Sequence, residues 1–242
     1  MSISKKVTVV TGASSGLGRS IALLFAQNGA KVVLASRDET KLKEVAEEIC
    51  QKGGEAASVV TNVRNEQQCA RLIEEAVKNY GRIDVLVNSA GIGIYGPVDE
   101  FSTRDIDALL ETNLKGLAYC SRAAYKEMKK QGSGHIINVA SIAGKFGLPG
   151  ESMYVASKFA AVGFSQSLRK EAIRFGVRVH TICPGGMNTP FWERVPRKPD
   201  VSKFLKPEHV AQLVLYLAST PDDMVFEDIV VQPKDEYVRR FA

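Results

Sequence analysis

A tyrosine and a lysine four residues apart are the pair in this sequence best suited to proton transfer. Tyr154 and Lys158 have helical spacing, so their side chains are expected on one face of a helix. An ammonium group beside a phenol stabilises the phenolate, and we expect it to lower the pKa of the tyrosine. Tyr154 could then act as an acid or a base near neutral pH. Such a pair alone is more often a surface pair than a site, so its meaning depends on its surroundings.

A serine follows the fifth predicted strand and could assist the same chemistry. Ser141 comes directly after His135–Ala140, at the carboxyl end of that strand. Open parallel sheets bind ligands at this edge. The hydroxyl could donate to a carbonyl oxygen on which negative charge develops. The three side chains therefore suit reduction of a carbonyl or the reverse oxidation.

A glycine-rich loop precedes these residues and predicts a nucleotide site. Thr11–Gly18 has the sequence TGASSGLG and lies between the predicted strand Lys6–Val10 and the predicted helix Leu17–Asn28. Glycines let the backbone approach a pyrophosphate, and the helix offers unpaired N–H groups to that anion. The spacing is GxxxGxG rather than GxGxxG, and a simple tight turn is the structural alternative. We expect cofactor contacts from Gly12, Ser14, Ser15, Gly16, Leu17 and Gly18.

The residues after the second predicted strand favour NADP(H) over NAD(H). An NAD site usually has an acidic side chain here for the ribose hydroxyls, whereas this chain has Ser36 and Arg37. Arginine can bind a 2′-phosphate through charge-assisted hydrogen bonds, and serine removes a repelling carboxylate. The alternative is that Arg37 is an ordinary solvated side chain.

The elements that must position these residues alternate between short β-branched runs and longer amphipathic stretches. This rhythm predicts one α/β domain over residues 1–242, a doubly wound Rossmann-type fold with a seven-stranded parallel sheet and helices on both faces. Residues 185–206 carry three prolines and mixed charges, and they are expected to form a mobile lid. The predicted strands are Lys6–Val10, Lys31–Ala35, Ala57–Thr61, Ile83–Asn88, His135–Ala140, Val177–Cys183 and Ile229–Val231. The predicted helices are Leu17–Asn28, Glu39–Lys52, Glu66–Asn79, Arg104–Lys130, Tyr154–Phe175 and Pro207–Ala218.

Composition excludes several other classes of protein. The chain has 242 residues, of which 45% are hydrophobic and 24% charged, and this excludes a wholly disordered chain. No apolar stretch is long enough to span a bilayer, and the N-terminus does not resemble a signal peptide. The net charge of +5 comes without a nucleic-acid recognition motif, so we expect no nucleic-acid partner. The four cysteines and three histidines show no metal-site spacing; we expect no metal, free thiols and a cytoplasmic location.

Taken in order along the chain, these motifs resemble the short-chain dehydrogenase/reductase family. The resemblance runs from about Lys5 to Thr189, and within the family it is strongest to 3-oxoacyl-[acyl-carrier-protein] reductases. Its elements are TGASSGLG at Thr11–Gly18, NSAG at Asn88–Gly91, Asn113, Ser141, YVASK at Tyr154–Lys158 and PGGMNT at Pro184–Thr189.

The resemblance implies a role for each matching residue. Tyr154 would donate a proton to the substrate oxygen, Lys158 would hold the nicotinamide ribose and tune Tyr154, and Ser141 would orient the carbonyl. Asn113 would support a water relay to Lys158 through a local helix distortion. Further cofactor contacts are implied at Asn62, Val63, Asn88, Ala90, Gly91, Pro184, Gly185 and Thr189.

Three departures from the family pattern affect these implications. Ser89 replaces the second asparagine of a common NNAG motif, and Asn62 replaces an aspartate near the adenine. An asparagine carbonyl can still accept from the adenine amine. The final VVQPKDEYVRRFA lacks a Gly-Gly that follows the last strand in the closest subgroup, and this leaves the subgroup open.

The sequence therefore predicts an NADPH-dependent reductase that converts a ketone to a secondary alcohol, with a 3-oxoacyl thioester among its candidate substrates. The alternatives are an NADP-dependent dehydrogenase of a small hydroxy acid, sugar or steroid alcohol, and a non-catalytic nucleotide-binding protein. We expect a homodimer or homotetramer that associates through the helix of Tyr154, and no membrane partner.

Two groups of residues bear on the substrate. An apolar wall is expected from Phe146, Leu148, Met153, Met187, Phe191 and Trp192. Two basic groups could bind an acidic carrier protein or coenzyme A phosphates, with a solvated surface as the alternative. They are Arg194, Arg197, Lys198, Lys203 and Lys206, and Lys126, Lys129, Lys130, Arg169, Lys170 and Arg174.

Overall fold

A parallel sheet organises the part of the chain that the structure describes, residues 2–195, 199–221 and 223–235 of a computed structural model. Seven strands of these residues form the sheet in the order β3-β2-β1-β4-β5-β6-β7. The strands are β1 (Val7–Thr11), β2 (Lys31–Ser36), β3 (Glu55–Val60), β4 (Val85–Asn88), β5 (Gly134–Val139), β6 (Val177–Pro184) and β7 (Asp228–Val231). The predicted α/β class with a seven-stranded parallel sheet is confirmed.

Helices cover both faces of the sheet because successive strand residues point to opposite sides. Val10 faces a core formed with the helices Gly16–Gln27, Glu39–Gln51 and Pro207–Ala218. Val9 faces a core formed with the helices Glu66–Tyr80, Leu117–Gln131 and Ser152–Ala172. Val9 and Val10 are both fully buried, which explains why this strand is rich in valine. The helices are α1 (Gly16–Gln27), α2 (Glu39–Gln51), α3 (Glu66–Tyr80), α4 (Thr103–Leu110), α5 (Leu117–Gln131), α6 (Ser152–Ala172) and α7 (Pro207–Ala218).

The chain changes direction across the sheet between β1 and β4. From β1 it continues to β2 and β3 on one side, and it then returns to β4 on the other side. Loops leaving the carboxyl ends of these neighbouring strands diverge, which opens a crevice at the switch point. The glycine-rich loop after β1 and the NSAG segment after β4 meet there.

Three predicted elements have different bounds for identifiable reasons. The predicted helix Arg104–Lys130 is interrupted by a π-turn at Glu111–Gly116, which separates α4 from α5. β3 is an edge strand and begins at Glu55, where its exposed side allows a charged residue. β4 begins at Val85 rather than Ile83 because the Asp84 carboxylate accepts from the Val7 N–H at 2.8 Å, ahead of the strand pairing.

The predicted lid is irregular but internally bonded. Met187 and Leu205 form an isolated bridge, supported by the Asn188 N–H donating to the Leu205 carbonyl at 2.9 Å. The Trp192 Nε1–H donates to the Met187 carbonyl at 2.7 Å. Pro196, Arg197 and Lys198, which belong to the predicted lid, lie outside the described residues. Its mobility stays a prediction.

The structure also describes the cysteines, the apolar character of the helices and the grouping of metal-ligating side chains. All four cysteines are free thiols, and Cys50 alone of them is exposed. Among the described residues, no helix combines the length and apolar character needed to cross a bilayer. The same residues contain no cluster of three or more His, Cys, Asp or Glu side chains arranged for a metal ion.

Candidate active site

In the glycine-rich loop, the backbone at Gly12 packs directly against the backbone at Gly18. Gly12 has φ 70°, in the left-handed region that favours glycine. A Cβ at Gly18 would stand 2.3 Å from the Gly12 carbonyl oxygen, so a side chain there would force the loop away from α1. Ser15 caps α1 without a side-chain hydrogen bond to the helix. The first N–H groups of α1 are therefore available to an anion in the crevice.

The segment after β4 and the lid both contact this loop. The Thr11 hydroxyl accepts from the N–H groups of Ser89 and Ala90, at 3.1 and 3.2 Å, and so joins the ends of β1 and β4. On the other side, a Cβ at Gly16 would lie 3.2 Å from the Cβ of Thr189. The lid therefore contacts the loop through Thr189. Ser89 contributes a backbone N–H to this turn, which explains why serine is acceptable in place of asparagine.

A cleft of about 440 Å³ lies beside the loop, between α1, α2 and the lid. Its lining includes Ser14, Ser15, Gly16 and Asn188. Leu17 and Gly18, in contrast, are buried under the loop and support it from below. The predicted loop contacts thus divide into residues that face the cleft and residues that hold the loop in shape.

Arg37 is exposed and directly follows the carboxyl end of β2. The Ser36 hydroxyl accepts from the Asp38 N–H at 3.1 Å, and Asp38 caps α2 by accepting from the Lys41 N–H at 3.1 Å. The Asp38 carboxylate also faces the Lys41 ammonium at 3.8 Å. Because Asp38 is engaged with Lys41, the Arg37 guanidinium is available to a phosphate.

The predicted adenine contacts lie at the end of β3. The Asn62 side-chain oxygen accepts from the Arg64 N–H at 3.1 Å, which stabilises the turn before α3. A carbonyl oxygen has a second lone pair, so this bond leaves capacity for another donor. Val63 is buried and packs against Gly116 of the π-turn. Val63 thus serves packing, and Asn62 is the residue of the two with polar capacity toward a ligand.

The side chain of Asn88, a predicted cofactor contact, is buried and bonded within the fold. Asn88 is 3% exposed and donates to the Ser121 hydroxyl and the Asn138 side-chain oxygen, both at 2.9 Å. Its amide therefore ties β4 to α5 and β5. Ala90 and Gly91, two and three residues later, are the partly open members of this segment.

Asn113 lies in the π-turn, which confirms the helix distortion implied at this position. Its side-chain oxygen accepts from the Ile92 N–H at 2.9 Å, and its amide nitrogen donates to the Ile92 carbonyl at 2.9 Å. The amide also donates to the Ser157 hydroxyl on α6 at 3.1 Å. The wider turn lets one side chain clamp the segment after β4 against α6.

Ser141 and Tyr154 are neighbours at the edge of β5, and the Ser141 hydroxyl favours the ionised form of Tyr154. The Ser141 oxygen also accepts from the Ala143 N–H at 3.1 Å, which fixes the hydroxyl. Tyr154 is 7% exposed in the first turn of α6. Burial raises the pKa of Tyr154 to about 12, although hydrogen bonds from Ser141 and Tyr95 act in the opposite direction. The predicted lowering of this pKa is wrong for the protein alone, because desolvation of the phenolate outweighs any favourable neighbour.

Lys158 is a buried cation beside this pair. Its Nζ atom lies 5.7 Å from the centroid of the Tyr154 ring and 3.4 Å from the Val139 carbonyl oxygen. A Cβ at Gly91 would stand 3.5 Å from the same Nζ, so the segment after β4 passes close by. Burial lowers the pKa of Lys158 to about 8. Within the described residues no carboxylate forms an ion pair with it, which is unusual for a buried lysine and typical of a functional site.

Tyr95 is the residue of this site that the sequence analysis missed. Its ring meets the Tyr154 ring edge-on, with centroids 5.3 Å apart, and its hydroxyl favours the ionised form of Tyr154. Trp192 of the lid stacks on the other side at 6.2 Å. The available signal was an aromatic residue inside the glycine-rich segment GIGIYG after β4.

The residues predicted to form an apolar wall fall into different clusters. Leu148, Met153 and Phe191 pack with Tyr154 in one cluster. Met187 packs instead against the core formed with α1 and α7. Three of the predicted wall residues therefore lie around Tyr154, and a substrate wall there stays a prediction.

The basic group on α5 and α6 is smaller than predicted. Arg169 is 6% exposed and bonds to the Val179 carbonyl and to Asp228, so it belongs to the interior. Lys129 and Arg174 remain at the surface, where both cations pack on the Phe175 ring, at 4.1 and 4.8 Å from its centroid. In the lid, Lys203 forms an ion pair with Asp235 at 3.3 Å.

The predicted contacts at the end of β6 lie next to the lid. Pro184 is buried at the last position of the strand, and the Gly185 N–H donates to the Val231 carbonyl at 2.7 Å. Thr189 begins the turn Pro190–Arg194 with no side-chain hydrogen bond to it. Its hydroxyl is therefore free for a ligand in the crevice.

The residues present fit a nicotinamide dinucleotide. The glycine loop has no room for a side chain, α1 leaves N–H groups for a pyrophosphate, and Arg37 can pair with a phosphate. At the other end of the crevice, Lys158 offers a buried ammonium without a counterion in the described structure. Each part of such a ligand would have a chemically suitable partner.

Sequence comparisons agree with this arrangement. A family model described as short chain dehydrogenase matches residues 6–200. The 3-oxoacyl-[acyl-carrier-protein] reductase FabG of Thermotoga maritima is 36% identical over 238 residues, which cover 95% of this chain and 97% of that protein. An uncharacterized oxidoreductase of Staphylococcus aureus is 36% identical over 231 residues, covering 96% and 98%.

Solved structures with the same fold include two nicotinamide complexes. An alcohol dehydrogenase from Thermococcus sibiricus, complexed with 5-hydroxy-NADP, has a TM-score of 0.88 at 28% identity and covers 95% of this chain and 97% of its own. A single-residue variant of the actinorhodin polyketide ketoreductase, with NADPH, has a TM-score of 0.87 at 30% identity, covering 96% and 98%.

Proposed function

Because this chain belongs to the short-chain dehydrogenase/reductase family of oxidoreductases, we propose that it reduces a ketone to a secondary alcohol with NADPH, using Tyr154 as the proton donor. The observation that carries the proposal is the arrangement of Ser141, Tyr154 and Lys158. A serine at the end of β5 and a neighbouring tyrosine lie beside a buried lysine that has no carboxylate partner among the described residues. A non-catalytic binding protein would have no use for this costly arrangement.

The protonation states suit reduction. With its pKa raised to about 12, Tyr154 retains its proton at neutral pH and can donate it. Ser141 is held by the Ala143 N–H and can orient the carbonyl oxygen toward Tyr154. When the Tyr154 O–H bond breaks, the proton passes to the substrate oxygen and the electron pair stays on the phenolate. The bound cofactor supplies the hydride.

The chain's other residues bind and orient. Lys158 would hold the nicotinamide ribose, and its positive charge would favour the phenolate as it forms. Asn113 keeps the segment after β4 against α6 through Ile92 and Ser157. The lid aromatic residues exclude water above Tyr154, which strengthens the electrostatic interactions inside.

The preference for NADPH rests on Arg37. Its side chain is exposed after β2, while the neighbouring Asp38 is occupied by Lys41 and by the cap of α2. A 2′-phosphate would form charge-assisted hydrogen bonds with Arg37, and no carboxylate replaces Ser36 to repel it.

A 3-oxoacyl thioester is the candidate substrate with the most support. The relative from Thermotoga maritima carries that activity in its name. Lys129 and Arg174 are held near each other on the Phe175 ring, and neither forms an ion pair within the described residues. Two unneutralised cations on one surface could bind an acidic carrier or coenzyme A phosphates.

A panel of carbonyl compounds tests the proposal. Acetoacetyl-CoA, cyclohexanone, fructose and a 3-ketosteroid would each be offered with NADPH and with NADH, and nicotinamide oxidation would be followed. We expect NADPH-dependent turnover, fastest with the thioester. NADPH binding without turnover of any carbonyl, or of the matching alcohols with NADP, would refute the enzyme function and favour a binding protein.

We also propose that copies of the chain associate through α6, as a homodimer or homotetramer. Phe159, one position after Lys158, is 45% exposed on that helix. Burial of such a side chain is favourable when a second apolar surface covers it. Sedimentation of the wild type and of Phe159→Glu would test this: we expect an oligomer that the charge weakens, and a monomeric wild type would contradict it.

A further inference from the structure

The segment after β4 places a second phenol, Tyr95, beside the ring of Tyr154. Ile92 is fixed by both polar atoms of the Asn113 amide, and the Gly96 N–H donates to the Gly150 carbonyl at 2.8 Å. Tyr95 lies between these two anchors. Its position relative to α6 is therefore set by backbone bonds at both ends of the segment, rather than by its side chain alone.

The Tyr95 hydroxyl has very little freedom. A Cβ at Gly93 would stand 2.5 Å from the Tyr95 Oη atom and 2.7 Å from Cζ of Phe191. Trp192 stacks on the ring with an interplanar angle of 12°, and Phe191 meets it edge-on at 6.5 Å. The ring is thus confined between the glycine backbone and the lid, and it meets the Tyr154 ring edge-on with centroids 5.3 Å apart.

We propose that Tyr95 is a positioning residue for the reaction: its hydroxyl donates a hydrogen bond to the Tyr154 oxygen and stabilises the phenolate left after proton transfer. This inference rests on the proposed function. Tyr95 keeps its own proton throughout, and only the Tyr154 O–H bond breaks. Ser141 and Tyr95 then give the oxygen two neutral donors, one from the edge of β5 and one from the segment after β4.

The charged groups around Tyr154 do not replace the neutral hydrogen-bond donor proposed at Tyr95. The titratable groups that face Tyr154 are Tyr95, Glu151 at the start of α6, and Lys158 one turn along the same helix. Glu151 is negative and opposes the phenolate, raising the pKa of Tyr154. Burial raises the pKa of Tyr95, so this phenol remains a donor over the whole working range. Tyr95 is therefore a neutral donor whose loss should be visible as a shift in the ionisation of Tyr154.

The test compares Tyr95→Phe with the wild type across the neutral and alkaline range. The substrate would be the panel carbonyl that the wild type reduces fastest, and oxidation of its alcohol with NADP would be measured, because that direction requires the phenolate. Loss of one hydrogen bond to a charged oxygen should move the controlling ionisation upward by about one pH unit. Tyr216→Phe removes a hydroxyl from an exposed tyrosine on α7 and should leave the profile unchanged.

A second variant separates the hydroxyl contact from packing. Gly93→Ala keeps the Tyr95 phenol but pushes its oxygen, and it should produce the same upward shift with NADPH affinity within about twofold of the wild type. Wild-type turnover with an unshifted profile in Tyr95→Phe would overturn the role of Tyr95 alone. Loss of NADPH binding in both variants would also overturn it, in favour of a packing role. A wild type that turns over no panel compound would overturn this inference together with the proposed function.

Discussion

The Nζ atom of Lys158 lies 5.7 Å from the centroid of the Tyr154 ring, and burial moves the two pKa values apart. The pKa of Lys158 falls to about 8 and that of Tyr154 rises to about 12, so in the protein alone the lysine loses its proton first. Desolvation penalises whichever form is charged, and it acts on both side chains. Burial in the first turn of α6 therefore widens the pH range over which the Tyr154 phenol keeps its proton.

Replacing Tyr154 by phenylalanine should separate chemistry from binding. The ring would still pack against Tyr95 and Phe191, but no proton could be donated to the substrate oxygen. We expect carbonyl reduction to fall by ~10²–10⁴-fold, the range for a general acid. NADPH affinity, measured by fluorescence titration, should be nearly unchanged. Wild-type rates in this variant would contradict the assignment of Tyr154.

Arg37→Asp should change the choice of cofactor. The substitution removes the exposed cation that follows β2 and adds a carboxylate that would repel a 2′-phosphate. We expect kcat/KM with NADPH to fall by about 10- to 100-fold relative to NADH. Arg71→Asp, an exposed arginine on α3, is the matched charge change and should affect both cofactors little. Equal losses with both cofactors in Arg37→Asp would show that Arg37 does not bind the phosphate.

Periodicity and glycine placement were sufficient to predict the sheet and the order of its motifs. Strands of a parallel sheet such as β1 are covered on both faces, so all five residues of β1 are buried and three of them are valines. Such a run is distinctive in the sequence. The π-turn at Glu111–Gly116 is different, because one extra residue in a helical turn hardly disturbs an apolar pattern. Resemblance at Asn113, rather than periodicity, indicated that distortion.

Side-chain environments were harder to predict than backbone elements. Arg169 resembles a surface cation in the sequence, yet it is buried against β6 and paired with Asp228, which is distant along the chain. Tyr95 and Tyr154 likewise come together only through the fold. The predicted downward shift of the Tyr154 pKa was wrong for the same reason. Burial raises this pKa, and the extent of burial depends on the lid and on the segment after β4.

Charge reversal at Lys129 and Arg174 should slow carrier-linked substrates selectively. Both cations pack on Phe175 at the surface, away from the Tyr154 cluster. We expect the Lys129→Glu/Arg174→Glu double variant to lower kcat/KM for a 3-oxoacyl carrier protein by about tenfold or more, because complementary charge raises association rates. Cyclohexanone should be reduced as by the wild type. Lys43→Glu on α2 is the control, and equal losses on both substrates would argue against a docking role.

Two stacked histidines in the interior should make the protein sensitive to acid. His135 and His180 are at most 2% exposed, and their rings lie 5.6 Å apart. Burial lowers the pKa of His180 to about 4 and that of His135 to about 2; the nearby Arg178 guanidinium adds to the effect on both. In the unfolded chain each would titrate near its ordinary value of about 6.5. As the pH falls below that value, protons bind the unfolded state first, and stability decreases until the folded pKa is reached.

The free energy of unfolding in urea, measured at a series of pH values, should therefore fall more steeply in the wild type than in His180→Gln. The difference should approach about 1.4 kcal/mol per pH unit between roughly pH 6 and pH 4, because one histidine no longer titrates. Carboxylates titrate in the same range in both proteins and cancel in the comparison. His209→Gln removes an exposed histidine on α7 and should behave as the wild type. Parallel curves for wild type and His180→Gln would mean that the buried pair does not set the acid limit of this fold.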